Sequence, residues 1–397
     1  MPRNAIKVCP ALILALLVTA RTASAIDAQS VGMGNTGAAY IANGSAIYFN
    51  PALLQQTGTL SATIAVAPIV AVLRSPVTQP NVDATSSTSV APLFLGGFNY
   101  RLGDRFVVGL AAYPTAGFGA TYPKVLNGRD LGLTAASIEV SPSASFAILK
   151  NLSVGVGYRL TYTLLHTETP VFTQTESQSV SGWNALGVQA GVFYQPMPSL
   201  RLGLSYRSKI STDLAGSTTV TGSSQSLPTS TTLAWPHMFR AGAALSLLHD
   251  SLLLAADVSY AMFSDSTQSL VIATQPSSGP PTSQTSPLDW VNSYAVGLGV
   301  QYLVNPMVPV RLGYSAGRSN TGEDAASYFF APPGFVQTFH AGVGLRLERW
   351  DFDLGAYYES AAVNVQTDSI ANTGRYSIQG IATSLSATFH IERKEQP

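Results

Sequence analysis

The chain has 397 residues, a formal net charge of +0 and 11% charged residues, against roughly 25% in an ordinary soluble domain. So few charges argue against a secreted soluble enzyme, which would have trouble staying in solution, and a chain without a basic excess carries no signature for nucleic acid. Hydrophobic content is 46%, yet beyond the first 25 residues no apolar run approaches the ~18 residues of a membrane helix.

Residues 1–25 read as a secretory signal. Arg3 and Lys7 precede an apolar stretch from Val8 to Thr19, and Ala23-Ser24-Ala25 offers small residues for cleavage. A mature chain from Ile26 is expected. It loses Arg3, Lys7 and Arg21, three of 21 basic residues, which leaves 18 against 21 acidic ones. It also loses Cys9, the only cysteine, so neither a disulfide framework nor a thiolate metal site is expected.

The next segment, residues 26–58, is apolar and rich in small residues. Gly32-Met33-Gly34-Asn35-Thr36-Gly37 fits G-x-G-x-x-G. A dinucleotide site needs a buried strand before it and a helix and an acidic residue after it, and the segment supplies none of these, so no cofactor is expected. "SAIYFNPALL" is interrupted by Asn50-Pro51. Proline removes a backbone donor and disfavours helix at the residue before it, so the pair should end a helical turn and redirect the chain toward a first strand near Thr59.

From there to residue 391 the sequence reads as strands. The stretch "RFVVGLAAYPTAGFGATY" alternates as far as Ala112 and then meets Pro114, Gly117 and Gly119. Proline cannot donate to a ladder and glycine in a strand marks a bulge or bend, so irregular backbone is expected here. In "LSVGVGYRLTYTL", Leu152, Val154, Val156, Tyr158, Leu160, Tyr162 and Leu164 share one face, and Ser153, Gly155, Gly157, Arg159, Thr161 and Thr163 the other. Further on, Leu200, Leu202, Leu204, Tyr206 and Ile210 oppose Arg201, Gly203, Ser205, Arg207 and Lys209. Similar patterns run through 294–302, through 339–347 with His340 on the polar face, and through Ile381, Thr383, Leu385, Ala387, Phe389 and Ile391. Strict alternation means that one face meets an apolar medium and the other does not. A soluble sandwich would carry Lys and Glu on its outer face. Gly, Ser, Thr and a few Arg suit instead the lumen of a transmembrane barrel whose apolar face meets lipid. Residues 392–397 should trail beyond the last strand.

Tight turns at Gly103-Asp104, Lys150-Asn151, 196–199, 248–250, 304–307 and Glu348-Arg349 alternate with Ser-, Thr- and Pro-rich stretches near 75–90, 122–132, 166–182, 214–228, 270–287, 317–333 and 363–376. Outer-membrane barrels have this asymmetry of short periplasmic turns and long extracellular loops. Six turns and seven loops imply about fourteen antiparallel strands, with both ends of the barrel chain periplasmic.

Three segments resemble the FadL/TodX family of outer-membrane transport proteins for hydrophobic compounds. "VGMGNTGAAYIANGSAIYFNPALL" resembles the family's N-terminal hatch, "GWNALGVQAGVFYQPMPSLRLGLSYRSKISTDLAG" its most recognisable strand pair, and "VNSYAVGLGVQYLVNPMVPVRLGYS" a late hairpin. The resemblance implies a 14-stranded barrel over residues 59–391, a hatch over residues 26–58 that includes Asn50 and Pro51, and lateral release of substrate through a kinked third strand. Pro114, Gly117 and Gly119 then mark the lateral exit, with Phe118 beside it. The partners expected are a hydrophobic small molecule, fatty acid or hydrocarbon, and the lipid bilayer, with the chain a monomer in a Gram-negative outer membrane. A fatty-acid carboxylate in a dry pocket needs a cation or several donors; Lys209 is the candidate, and Arg74, Arg318 and Arg375 stand near loop bases. A neutral hydrocarbon needs none. The histidines show no metal spacing such as H-E-x-x-H, and no catalytic pairing can be argued from spacing. A secretion-partner or surface-receptor role is the alternative for a barrel of this kind.

Overall fold

A computed structural model of the chain describes residues 27–276, 278–366 and 373–391. The expected signal segment and the C-terminal tail lie outside the described residues. Two short helices, α1 (Ala28–Gly32) and α2 (Ala46–Phe49), and a 3-10 turn (Pro51–Gln56) come first. Nineteen strand segments follow: β1 (Leu60–Pro76), β2 (Asp83–Thr85), β3 (Ser89–Arg101), β4 (Phe106–Leu126), β5 (Arg129–Leu149), β6 (Leu152–Val171), β7 (Gln174–Met197), β8 (Leu200–Arg207), β9 (Ile210–Val220) and β10 (Ser226–Trp235). The rest are β11 (Met238–Leu247), β12 (Leu252–Ala261), β13 (Ser269–Thr274), β14 (Thr282–Pro287), β15 (Ser293–Asn305), β16 (Val308–Arg318), β17 (Phe335–Arg346), β18 (Trp350–Val365) and β19 (Gly374–Ile391).

Five wall strands are split by a short irregularity: β2 with β3, β8 with β9, β10 with β11, β12 with β13, and β14 with β15. The wall is therefore a closed antiparallel barrel of 14 strands. It closes where β1 meets β19, in register from Leu60 opposite Ile391 to Arg74 opposite Ser377. Closure leaves no sheet edge, which is what lets a β-structure stand in hydrocarbon.

The wall's two faces follow the pleat. In β12, Leu253, Ala255, Asp257, Ser259 and Ala261 are buried, while Leu254, Val258 and Tyr260 are exposed. Outward aromatics gather in two belts. Tyr206, Phe239, Tyr260 and Tyr294 are successive cross-strand partners toward the far end of the barrel. Tyr302, Trp350, Phe352 and Phe389 sit toward the end that carries both chain termini. Such girdles flank the lipid-facing band of outer-membrane barrels.

Two expectations are corrected. The ladder runs into five of the stretches read as long loops. β4 and β5 meet at Asn127-Gly128, and β6 and β7 at Phe172-Thr173. β9 and β10, β13 and β14, and β18 and β19 likewise carry the ladder into the sequence read as loop. Beyond the bilayer both faces of a strand meet water, so the apolar alternation that reveals a strand disappears while the pairing continues. The second correction concerns 200–210. The strand breaks at Ser208-Lys209 and its phase shifts by one residue, so Ile210, Thr212 and Leu214 point inward and are buried, and Lys209 leaves the inner face.

Residues 27–57 fill the lumen. Val31, Met33, Ile41, Ile47, Phe49, Leu53 and Leu54 pack against inward Ala65, Ala67, Leu93, Val107, Ala111 and Phe193 of the wall. The wall also receives the segment's backbone: Asp257 Oδ2 accepts the Gly37 and Ala38 N–H groups at 2.9 and 3.0 Å. Many of the small inward residues are seats for this segment. A Cβ on Gly203 would strike the Ala38 carbonyl, and one on Gly313 the Gly34 nitrogen. The His340 ring bridges α1 to the wall, with Nδ1 2.7 Å from the Val31 carbonyl and Nε2 3.0 Å from Ser315.

Candidate functional site

Proline at 114 and glycine at 119 break β4 in the way their chemistry demands. Toward β5 the ladder slips by one residue at Thr115, between Pro114–Ile138 and Ala116–Ser137, and then continues to Tyr122–Leu131. Gly119 adopts φ +149°, a conformation that side chains resist. Toward β3 the ladder stops at Gly96–Ala112. β3 carries on alongside β1, from Leu95–Ala65 to Ser89–Ala71, while β4 bends away. Backbone hydrogen bonding resumes where Ser87 N–H donates to the Thr121 carbonyl at 2.7 Å. Between these points, residues 89–95 and 113–120 face each other across the wall without a ladder. The in-out alternation of β4 also fails there, because Tyr113, Pro114, Thr115, Gly117, Phe118, Gly119 and Ala120 are all buried.

A polar hub lies directly inside the bend. The Glu139 carboxylate, from β5, accepts the Tyr113 hydroxyl at 2.7 Å, Arg207 Nη2 at 2.8 and 2.9 Å, and Arg159 Nε at 2.9 Å. Arg207 Nη2 also donates to Thr115 Oγ1 at 2.9 Å, and its Nη1 to Gln189 Oε1 at 3.0 Å. The Tyr48 ring of α2 lies 5.2 Å from the Arg207 guanidinium and 5.2 Å, edge-on, from Tyr113. Both arginines and the glutamate are buried, and the hydrogen bonds gathered on the carboxylate are what let the pairs stand there; Arg207 Nε alone has no partner among the described residues.

Above the hub is an aromatic cluster. Phe118 meets Phe330, Trp290 and Trp235 edge-on at 4.8, 5.6 and 5.9 Å, and Phe263 meets Trp290 at 5.5 Å. Leu165, Val180, Leu214, Leu233 and Leu288 complete it. The irregular pieces of the wall deliver these rings: Trp235 ends β10, Phe263 and Trp290 lie in the breaks after β12 and before β15, and Phe330 is in the connection after β16. Trp235 Nε1 donates to Ser137 Oγ at 2.6 Å, whereas the buried Trp290 Nε1 has no partner among the described residues.

The structure thus brings Pro114, Gly117, Phe118 and Gly119 together at the ladder gap and leaves Lys209 apart. Lys209 Nζ is 3.3 Å from Asp265 Oδ1, with a third of its side chain exposed, and its backbone N–H donates to His237 Nδ1 at 3.1 Å. Asn50 and Pro51 lie against β7. Asn50 Oδ1 accepts the Ala52 N–H at 3.0 Å, and Nδ2 donates to the Ala38 and Val192 carbonyls at 3.0 and 2.9 Å. Pro51 opens the 3-10 turn, where its missing N–H costs nothing. Sequence reasoning missed Glu139 and the rings of Trp235, Phe263, Trp290 and Phe330. A carboxylate at an inward position, the one charge of its strand beyond Asp130, was the readable signal for Glu139; Phe263, Trp290 and Phe330 sit in stretches without any period.

A closed barrel with lipid-facing girdles, an occupied lumen and an interrupted wall defines a transport protein of the bacterial outer membrane. The outer membrane protein transport family (OMPP1/FadL/TodX) matches residues 14–378, and the chain belongs to it. Among solved structures, a Pseudomonas aeruginosa FadL homologue superposes with a TM-score of 0.78 at 18% identity, covering 94% of this chain and 99% of its own. The Pseudomonas putida toluene transporter TodX gives 0.73 at 18% identity, over 94% and 100%. The Ralstonia pickettii toluene transporter TbuX gives 0.71 at 18% identity, over 91% and 97%. No curated protein sequence matches the chain.

Proposed function

We propose that this barrel, as a monomer, carries neutral hydrophobic compounds, aromatic hydrocarbons among them, from the exterior into the aromatic cluster around Phe118. Release is sideways into the bilayer, through the ladder gap between β3 and β4. Residues 26–58 act as the hatch that closes the lumen to water, with Asn50 and Pro51 docking it on the wall. The observation that carries the reading is the coincidence of gap and cluster: Phe118 belongs to both. An opening in a barrel wall is tolerable where irregular backbone faces protein or a cavity rather than lipid, and Pro114, Gly117 and Gly119 supply that irregularity.

The chemistry of the cluster favours neutral substrates over fatty acids. The rings and aliphatic side chains that make up the cluster offer a carboxylate no charge of their own. Arg159 and Arg207 are spent on Glu139, and Lys209 is ion-paired outside the cluster. The toluene transporters among the structural neighbours agree with this preference.

Binding of labelled toluene and labelled oleate to the detergent-purified barrel tests the substrate class. Toluene should bind, and Phe118→Ala should weaken it several-fold; Lys209→Ala should leave both ligands within two-fold. Tight oleate binding that Lys209→Ala abolishes would overturn the neutral-substrate reading and restore Lys209 as a carboxylate partner.

A further inference from the structure

Arg74 and Arg375 stand on the outside of the barrel, not in its mouth. The exposed positions of β1 are Ile64, Val66, Pro68, Val70 and Arg74, and those of β19 include Arg375, Gln379, Ile381 and Leu385. Both arginines therefore belong to the lipid-facing rows, at the end of the wall away from the chain termini. Arg74 is the cross-strand partner of Ser377, which puts Arg375 one diagonal step away, within reach of a long side chain. Together with Ser360, Ser377, Gln379 and Asp83 they border a cleft of about 300 Å³. Neither arginine has an ion pair or hydrogen bond among the described residues. Two like charges side by side on a sheet repel, and the single carboxylate of Asp83 offsets one of them.

The level of the cleft matters as much as its charge. Immediately below it the same three strands turn apolar, with Val70, Tyr358 and Ile381 outward. Lower still, Ile64, Val66, Leu345, Leu354 and Leu385 border an outward groove of about 470 Å³. The cleft thus sits at the boundary where hydrocarbon gives way to headgroups. With the hairpin end facing the exterior, that boundary belongs to the outer leaflet, whose glycolipids carry phosphate on sugar. Guanidinium groups match phosphate bidentately, and basic pockets at headgroup level attract anionic lipids.

We propose that the Arg74–Arg375 cleft binds the phosphorylated sugar headgroup of an outer-leaflet glycolipid, whose acyl chains run down the apolar faces of β1, β18 and β19. The site is separate from the substrate route and stands whether or not the gap beside β4 conducts.

Fluorescent diphosphoryl lipid A titrated into the full chain in detergent tests it. Each Arg→Ala change should weaken binding about 5-fold, and Arg74→Ala with Arg375→Ala about 25-fold, the loss expected at about 1 kcal/mol per basic residue. Asp83→Asn should tighten binding, and the dephosphorylated lipid should bind the parental chain as weakly as the intact lipid binds the double variant. If the double alanine variant fails to show heat-modifiable migration, Arg74→Lys with Arg375→Lys replaces it; losing the planar forks, it should still weaken binding several-fold. Binding within two-fold of parental in the assembled double variant would overturn the proposal, as would equal binding of the dephosphorylated lipid. Displacement of lipid A by a few millimolar inorganic phosphate, but not by chloride at matched ionic strength, would assign the cleft to free phosphate and overturn the lipid reading.

Discussion

The ladder between β3 and β4 stops at Gly96–Ala112, and the ladder between β7 and β8 stops at Gln189–Arg207, to resume with β9 only at Ser181–Ala215. At the second interruption side chains replace the missing ladder. Ser208 exchanges bonds with Val188, donating its N–H to the Val188 carbonyl and accepting the Val188 N–H on Oγ, both at 2.9 Å. Asn184 Nδ2 donates to the Ser211 carbonyl at 2.5 Å, and the Tyr158 hydroxyl to the Ala185 carbonyl. At the first interruption no such stitching joins residues 93–95 to 113–120 among the described side chains; β4 bends inward and buries its side chains. A break in a barrel wall is therefore not in itself a portal. What distinguishes the two is whether polar side chains close the exposed backbone or the strand withdraws from it. The hub joins both places, since Arg207 reaches Thr115 at the bend and Arg159 Nη1 donates to the Ser208 carbonyl at 2.6 Å.

That contrast is open to attack at several points. The largest effect is expected from Glu139→Ala, which strands two buried arginines; breaking such a pair costs about 3–5 kcal/mol. Heat-modifiable migration should shift to markedly lower temperature, and an unchanged midpoint would mean that the hub does not hold the bend. Gly117→Trp should lower toluene uptake by cells about ten-fold or more with assembly intact. Leu186→Trp at the stitched break, where the side chain is already 85% exposed, should leave uptake unaltered; equal loss in both variants would erase the distinction. Gly117 is the cleaner position, because a side chain at Gly119 would also meet the Leu133 carbonyl and distort the bulge. Ser208→Ala leaves the Val188 N–H unpartnered and should destabilise the barrel by about 1–3 kcal/mol without changing uptake.

The smallest effect concerns the lumen. Burial first, and then the Asp353 carboxylate, push Asp27 up to about 6 from 3.8, against the opposing pull of Ser30 N–H, Asn43 and Arg311. The folded chain then holds a proton that the unfolded chain has lost, so stability rises as pH falls through 6 and is flat above 7. Between pH 7 and pH 5 the gain is about 1 kcal/mol. It should appear as a difference in the pH dependence of the melting midpoint between the parental chain and Asp27→Asn.

Much of this was legible in the residues. Alternation through 152–164 announced the barrel because each pleat position meets one medium throughout, and Pro114 with Gly119 announced the bend because proline has no donor for the ladder and glycine accepts the distorted backbone. The phase shift at Lys209 was hidden: a two-residue break leaves no mark when both flanking runs alternate. The aromatic cluster was hidden for a different reason. Phe263, Trp290 and Phe330 come from three connections with no period, Phe118 and Trp235 from strands far apart in the chain, and only closure of the sheet brings them together. The Gly, Ser and Thr of the inner face were visible, yet their use as seats for residues 27–57 depends on which atoms approach them.

Those seats carry a consequence for how the molecule forms. They lie on β3, β6, β7, β8, β15, β16 and β18, around most of the circumference, and the ladder that shuts the ring joins residues as far apart as Leu60 and Ile391. Closing so long a loop is the slowest and entropically most expensive pairing in the chain. Until it forms, the sheet is an open trough, and residues 27–57 can settle along its floor one glycine at a time. The last strand then seals a chamber around its own beginning, so a delay in pairing β19 should be felt first as misplacement of residues more than three hundred positions upstream.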